Sequence, residues 1–234
     1  MKNQNIHIFA IVLLLCVGIL GPQSASSQTE YGVKGGPLFS SIRNDFENSS
    51  INIDTKIGLS AGVFYRINNL LGPVNLQAEF LYQLKGAETY LFYNPYSGGY
   101  GYGYYQYNYG GYGYNSYDES NLQWIKGDES FHYFNLPVLA SVTLYKLIDV
   151  YAGPEIGYKF ITSGNSSYIL AEKNFSAGIS AGIAVHLGQN TKLDLRYSTD
   201  FTNLTDITTS KFKNQSFGFI VQQTLVRKQA EVKP

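Results

Sequence analysis

Residues 56–67 alternate between apolar positions and positions that are mostly small or charged. The apolar phase reads Ile57, Leu59, Ala61, Val63, Tyr65 and Ile67, and the other phase reads Lys56, Gly58, Ser60, Gly62, Phe64 and Arg66. A period of two is typical of a β-strand with one apolar face. The segment is also about as long as a tilted strand that crosses a bilayer. The pattern therefore predicts a strand of a membrane-spanning barrel.

Similar alternation recurs along the chain and predicts eight strands in all. The period of two continues over segments too long to be mistaken for a helix, such as the segment from Phe175 to Leu187. The predicted strands cover residues 31–40, 56–67, 74–85, 131–144, 150–162, 174–187, 191–201 and 213–225.

The connections between these strands alternate in length. Short connections lie at 68–73, 145–149 and 188–190, and longer ones lie at 41–55, 86–130, 163–173 and 202–212. A meander with short periplasmic turns and longer external loops has this order. The sequence thus predicts an all-β fold, an eight-stranded antiparallel up-and-down transmembrane β-barrel with both termini on the periplasmic side.

The N-terminus has the three regions of a secretory signal peptide. Lys2 precedes an apolar run from Ile6 to Leu20, and small residues follow at Ser24–Ser27, which predicts a signal peptide over 1–27 and a barrel over 28–234. A membrane anchor is the alternative, but the run is short and ends at Gly-Pro. The single cysteine, Cys16, lies within the run, so the mature chain is expected to lack disulfides.

Composition agrees with an exported β-protein. The chain has 21 Tyr, 14 Phe and 24 Gly, and its 17 basic residues equal its 17 acidic residues in number. Aromatic residues favour strands, and a chain without net charge has no strong field to attract nucleic acid. The expected surroundings are therefore outer-membrane lipid, without a nucleic-acid partner.

Aromatic residues of the outward phase gather toward the external ends of the predicted strands. Rings that are partly polar favour the boundary between membrane and water, so such residues predict an aromatic girdle. The alternative is that Tyr and Phe are simply abundant. The predicted girdle consists of Phe39, Tyr82, Phe134, Tyr158, Phe160, Phe175, Tyr197 and Phe217.

Charged residues of both signs occupy the inward phase. They comprise Arg66, Glu79, Lys85, Glu155, Lys159, Lys192, Asp194 and Arg196. An eight-stranded barrel is just wide enough for side chains to fill it, and buried charges are costly unless they are paired. We interpret these residues as an interior network of ion pairs and hydrogen bonds; a narrow polar conduit is the alternative.

The predicted external loop at 86–130 has an unusual composition. Between Tyr93 and Tyr117, 11 of 25 residues are Tyr and seven are Gly, and none is charged. Such a low-complexity segment is not expected to pack regularly. Because Tyr is favoured at interfaces, the segment suggests a contact with a protein or a glycan. An expansion that is tolerated because it protrudes is the alternative.

Catalytic motifs are missing from the sequence. His132 and His186 are the histidines that follow the predicted signal peptide, and no HExxH motif, cysteine pair or loop ending in Gly-Lys-Ser/Thr occurs. The sequence therefore predicts no enzyme, no cofactor and no metal site. His186, inward and near the periplasmic end, is interpreted as a lumen side chain.

Short motifs along the chain resemble those of a known family. They are Tyr31–Gly36, Phe134–Leu139, Val150–Pro154, Ala177–Gly182 and Leu193–Tyr197. In these the chain resembles the outer membrane protein beta-barrel domain family, the porin-like group of Gram-negative bacteria that includes the PorT-like barrels. The resemblance implies a barrel without catalytic residues. Barrels of this family often end on an aromatic residue. This chain departs from that pattern, because Val226–Pro234 follows the last predicted strand.

These observations predict a non-enzymatic outer-membrane barrel with a structural or interaction role through its external loops. A narrow pore, or an accessory barrel of a secretion machine, is one alternative. A soluble secreted β-barrel that binds a small ligand is another. Charges in the same phase as Gly and Ser would make a poor lipophilic pocket, which disfavours the soluble barrel.

Overall fold

The computed structural model is a closed ring of eight antiparallel strands. It describes residues 28–44, 52–93, 123–164, 173–204 and 212–229. Each strand pairs with its neighbours in sequence, and the last strand pairs with the first. The predicted up-and-down barrel is thereby confirmed. The strands are β1 (Gln28–Asn44), β2 (Asn52–Leu71), β3 (Val74–Tyr93), β4 (Gln123–Leu144), β5 (Ile148–Gly164), β6 (Phe175–His186), β7 (Thr191–Asp200) and β8 (Phe212–Gln229).

Short turns lie at one end of the barrel, as predicted. They join β2 to β3 at residues 72–73, β4 to β5 at 145–147 and β6 to β7 at 187–190. Tyr145 and Lys146 both have positive φ, 51° and 58°, which gives the backbone twist that suits a tight hairpin. Within the described ranges, no helix is long and apolar enough to span a membrane.

The range predicted for the external loop, 86–130, includes residues that belong to β3 and β4. β3 continues to Tyr93 and β4 begins at Gln123, and the two strands pair from Gly86–Ser130 to Tyr93–Gln123. Polar residues occupy both faces here, so alternation does not mark the strands. Residues 94–122, which include all of the Tyr93–Tyr117 segment beyond its first residue, lie outside the described residues.

Two further differences concern the periplasmic end. Ile67 was assigned to the outward phase but is buried, and the pairing of β2 with β3 becomes irregular directly after it, between Ile67 and Leu71. The predicted C-terminal tail instead continues β8 to Gln229, and Val226 pairs with Tyr31 of β1. The predicted signal peptide, 1–27, lies outside the described residues.

Alternation gives the barrel an apolar outer surface. Exposed large apolar side chains occur on every strand, and they include Val33, Val63, Phe80, Val142, Val150, Ile183, Tyr197 and Val221. Soluble monomers rarely expose a continuous apolar surface of this extent, whereas in a membrane-spanning barrel lipid covers it. The shortest strand, β7, has 10 residues, which is enough to cross a bilayer at a tilt.

We predict that Gly36 is required for the close approach of β1 to β8. A Cβ at this position would lie 2.0 Å from the carbonyl oxygen of Phe219, whereas a Cβ at the neighbouring Gly35 would lie 3.7 Å from that of Ser60. We expect Gly36→Ala to lower the free energy of unfolding by about 1–3 kcal/mol and Gly35→Ala to change it little. Urea unfolding in lipid vesicles measures both variants, and equal effects would contradict this interpretation.

Candidate functional site

The interior of the barrel is the most densely charged part of the described structure. The eight charged residues assigned to the lumen are all buried: Arg66, Glu79, Lys85, Glu155, Lys159, Lys192, Asp194 and Arg196. Five charged residues that the sequence analysis did not assign are buried as well: Glu30, Lys34, Glu129, Asp149 and Asp200. Together they comprise six cations and seven anions, so the enclosed charge is close to balanced.

A central ion cluster is formed by Lys34, Glu79, Asp194 and Arg196. The guanidinium of Arg196 donates from Nη1 and Nη2 to the two oxygens of Glu79, at 2.7 and 2.9 Å, a bidentate geometry that strengthens the pair. Lys34 Nζ donates to Glu79 at 2.8 Å and to Asp194 at 2.5 Å. Because Arg196 also donates to Asp194 at 3.0 Å, each charge of the cluster contacts two opposite charges.

Neutral polar groups complete the central ion cluster. Tyr151 donates its hydroxyl proton to Asp194, and Arg196 Nε donates to the Tyr151 oxygen at 3.2 Å. The guanidinium carbon of Arg196 also lies 5.4 Å from the centre of the Tyr151 ring, within the range of a cation–π contact. Gln77 Nε2 donates to Glu79 at 2.6 Å. These contacts satisfy groups whose burial would otherwise destabilise the fold.

A second cluster, centred on Glu155, lies on the external side of the central one. Glu155 accepts hydrogen bonds from Lys85 at 3.3 Å, from Asn135 at 2.7 Å and from Ser198 at 3.3 Å, and also from Ser180. These partners come from β3, β4, β6 and β7. One carboxylate therefore ties four strands together across the lumen.

A third cluster, centred on Asp149, lies near the periplasmic end. Asp149 accepts from Arg66 at 2.7 Å, from Lys192 at 2.9 Å and from Thr143 at 2.6 Å. His186 Nε2 lies 3.1 Å from its Oδ2 without hydrogen-bond geometry, so the structure places this histidine inside the barrel, beside an anion.

A small cavity of about 10 Å³ lies between the central and the Asp149 clusters. Ser141 and Gln222 line it, and the Oγ of the former and the Nε2 of the latter are buried without a hydrogen-bond partner. The volume suits about one water molecule. The space that remains inside this part of the barrel is thus far smaller than a small-molecule ligand requires.

Apolar side chains close the external end of the lumen. This external apolar cluster consists of Ile42, Ala87, Phe131, Tyr133, Leu204 and Phe212. Leu204, which follows β7, is held over the barrel because its N–H donates to the Phe212 carbonyl at 2.8 Å and its carbonyl accepts from Lys173 N–H at 3.0 Å. The ammonium of Lys85 lies 5.4 Å from the Tyr133 ring centre, so the polar and apolar layers are in contact.

The residues of the predicted girdle occupy the outer face in two rows. Register pairs Tyr82, Phe134, Tyr158 and Phe175 across β3 to β6, and pairs Tyr197, Phe217 and Phe39 across β7, β8 and β1. The eighth residue, Phe160, stacks on Phe134 with ring centres 4.4 Å apart. Tyr82 and His132 Nδ1 share a hydrogen bond of 2.8 Å beside this stack.

Most of the missed lumen charges could not be assigned because strand ends were misplaced. Asp149 was counted as part of a turn, Glu129 as part of the long loop, and Glu30 precedes the predicted start of β1. Lys34 and Asp200 are different, because each lies within a predicted strand and on its inward phase, so alternation alone could have found both. Among the described residues, no group of three or more His, Cys, Asp and Glu side chains could hold a metal ion.

Comparisons with solved structures return bacterial barrels of low sequence identity. Ail, the attachment invasion locus protein of Yersinia pestis, in complex with the heparin analogue sucrose octasulfate, is 12% identical; 86% of this chain and 99% of Ail are covered, at a TM-score of 0.42. Neisserial surface protein A is 9% identical over 85% and 99% of the respective chains, at a TM-score of 0.46. No protein-family model and no curated protein sequence matches the chain. The finer resemblance to PorT-like barrels stays a prediction.

Fold and interior together define a class of protein. An apolar belt surrounds eight antiparallel strands, and the strands enclose a polar interior that is filled by its own side chains. That is the arrangement of a small transmembrane β-barrel, in which lipid replaces water on the outside.

We predict that the pairing of Arg196 with Glu79 stabilises the barrel strongly. Arg196→Met removes the cation that two buried carboxylates share, so we expect the free energy of unfolding to fall by about 3 kcal/mol or more. Glu79→Gln combined with Arg196→Met should cost less than the sum of the two single changes, because each single change leaves a charge without its main partner. Urea unfolding in lipid vesicles gives all three values.

The control is an ion pair outside the barrel wall. Lys126 donates to Glu88 at 2.7 Å on the external extension of β3 and β4, and this hydrogen bond lowers the pKa of the Glu88 carboxyl. Both groups are solvent-accessible, so Lys126→Met should leave stability nearly unchanged. An effect of Arg196→Met no larger than that of Lys126→Met would contradict the role of the central ion cluster.

Proposed function

We propose that this protein is a non-enzymatic outer-membrane barrel whose role, in envelope structure or in binding, is carried by its external segments. The observation that supports this most directly is the filled lumen. Charges inside it pair with one another, and the external apolar cluster closes one end. Side chains leave little room inside the barrel for a ligand, so the external segments are the parts best placed to meet other soluble molecules.

The proposed location follows from the apolar belt and the order of the turns. Barrels with a lipid-facing apolar surface, short turns at one end and longer connections at the other are typical of the outer membrane of Gram-negative bacteria. The predicted signal peptide over 1–27 would direct export. The short turns are then periplasmic, and the paired ends of β3 and β4 at Tyr93 and Gln123 are external.

The alternative functions receive less support from the interior. A narrow pore, or an accessory channel of a secretion machine, requires a path along the axis, but buried ion clusters and Phe131, Leu204 and Phe212 occupy that path. A soluble barrel that carries a small ligand requires an apolar cavity and a wettable outside. This barrel instead has a polar, charged interior and an apolar outer surface.

The Tyr93–Tyr117 segment is the proposed contact region for a protein or a glycan. Support for this proposal comes from the long pairing of β3 with β4, which continues as far as Tyr93 and Gln123, directly before and after the rest of the segment. Tyrosine rings supply apolar contact area and a hydroxyl together, which favours both protein and sugar surfaces.

Cell fractionation with electrophoresis tests the proposed location. We expect the mature chain in the outer-membrane fraction, migrating faster when unheated than when boiled, because a folded barrel remains compact in detergent. Detergent-free solubility without such a mobility shift would contradict the proposal and favour the ligand-carrying barrel.

A loop replacement tests the proposed contact region. Because Tyr93 pairs directly with Gln123, residues 94–122 can be replaced by Asn-Gly, the pair best suited to a two-residue hairpin turn. We expect this variant to keep the heat-dependent mobility shift and to lose binding to cells or immobilised glycans by at least tenfold.

The matched control keeps the length of the segment and changes only its chemistry. Every Tyr of residues 94–122 is replaced by Ser, which retains the glycines and the two acidic residues, Asp118 and Glu119. Loss of binding in both variants would support tyrosine rings as the contacts. Unchanged binding in the Asn-Gly variant would contradict the proposed role and favour a tolerated expansion.

A further inference from the structure

Two buried polar atoms inside the barrel have no hydrogen-bond partner among the described residues. They are Oγ of Ser141 on β4 and Nε2 of Gln222 on β8. The two residues are 5% and 2% exposed, and a polar group left unsatisfied at such depth destabilises a fold. Both residues line the cavity of about 10 Å³ between the central and the Asp149 clusters. Because β4 and β8 lie opposite each other in the ring, this small space meets hydrogen-bonding groups from opposite walls.

Neighbouring groups fix the orientation of the Gln222 amide. Gln77 Nε2 donates to Glu79 at 2.6 Å and to Oε1 of Gln222 at 3.3 Å. Turning the Gln77 amide over would place its oxygen against the Glu79 carboxylate, and turning the Gln222 amide over would place two NH₂ groups against each other. Gln222 therefore keeps its NH₂ group on the side away from Gln77, and an amide flip does not supply the missing partner.

The groups around the cavity select a small neutral ligand. A metal ion is disfavoured, because the NH₂ group of Gln222 is a donor and has no lone pair to offer. An anion is disfavoured, because the carboxylates of Asp149 and Asp194 line the same cavity. A water molecule accepts from an NH₂ group and also donates to or accepts from a hydroxyl such as that of Ser141. The volume suits about one such molecule.

We propose that this cavity is a binding site for one water molecule, which accepts a hydrogen bond from Gln222 Nε2 and shares a second one with Ser141 Oγ. Asp149 and Asp194 border the same cavity, so the water lies between the Asp149 cluster and the central ion cluster and makes the polar interior continuous. The water is thus part of the packing of the barrel. The site goes beyond the proposed function, since it concerns the interior and not the external segments.

Water-selective NMR of the full mature chain in detergent micelles tests the site. We expect the side-chain amide protons of Gln222 to give cross-peaks at the water frequency, with nuclear Overhauser effects of opposite sign in the laboratory and rotating frames, as for water that tumbles with the protein. A hydroxyl proton that exchanges with solvent gives the same signal. Ser141→Ala and Tyr151→Phe each remove one of the two hydroxyls that border the cavity, and each variant should retain the cross-peaks.

A cavity-filling variant and its matched control complete the test. Ala184 is buried and lines the cavity, so Ala184→Val occupies the space of the water and leaves Ser141 and Gln222 in place. We expect loss of the Gln222 cross-peaks and unfolding at a lower urea concentration, because both polar atoms lose their partner. Ala140→Val adds the same two methyl groups on the outer face of β4, where Ala140 is exposed, and should change neither result.

The site would be overturned by absence of the cross-peaks in the native chain, by their loss in either hydroxyl variant or by their persistence in Ala184→Val. A saturable shift of the Gln222 amide resonances with sodium chloride would assign the cavity to an anion and would also overturn it. Folding of each variant is scored by the heat-dependent mobility shift. If Ala184→Val does not fold, the native chain and the two hydroxyl variants decide the outcome.

Discussion

Burial of charge inside a closed ring of eight strands is the constraint on which the rest of the structure depends. A charge removed from water destabilises the fold unless an opposite charge and hydrogen bonds replace the solvent. The central ion cluster meets this condition, because Glu79 and Asp194 each contact both Lys34 and Arg196. These four residues come from β1, β3 and β7, so their pairing also fixes how distant parts of the ring face each other.

The filled interior determines where the protein can act. Polar clusters occupy the lumen from Asp149 near the periplasmic end to Glu155 toward the external end, and the external apolar cluster lies beyond them. The wall is also uneven, since β3 and β4 have 20 and 22 residues whereas β6 and β7 have 12 and 10. β3 and β4 form the tall side, and Leu204, which follows β7, packs over the low side.

The number of strands, their order and the facing of most residues could be predicted because a half-buried strand repeats every two residues. The facing of residues could not be predicted where this period of two breaks down. Ile67 follows buried Arg66 and is itself buried, at the point where the regular pairing of β2 with β3 ends. Partners were also beyond prediction: Glu79 and Arg196 are 117 positions apart, and which inward residues meet depends on strand stagger and tilt.

The same geometry explains why a composition so unlike the barrel wall is tolerated in this chain. Wall residues must suit lipid on one side and the paired interior on the other, which a Tyr/Gly repeat cannot do. The paired extension from Gly86–Ser130 to Tyr93–Gln123 carries the strands about 25 Å along their length before the repeat begins. At Tyr93 and Gln123 the strands have left the layer of the ion clusters, so a sequence that follows this extension need not match the composition of the barrel wall.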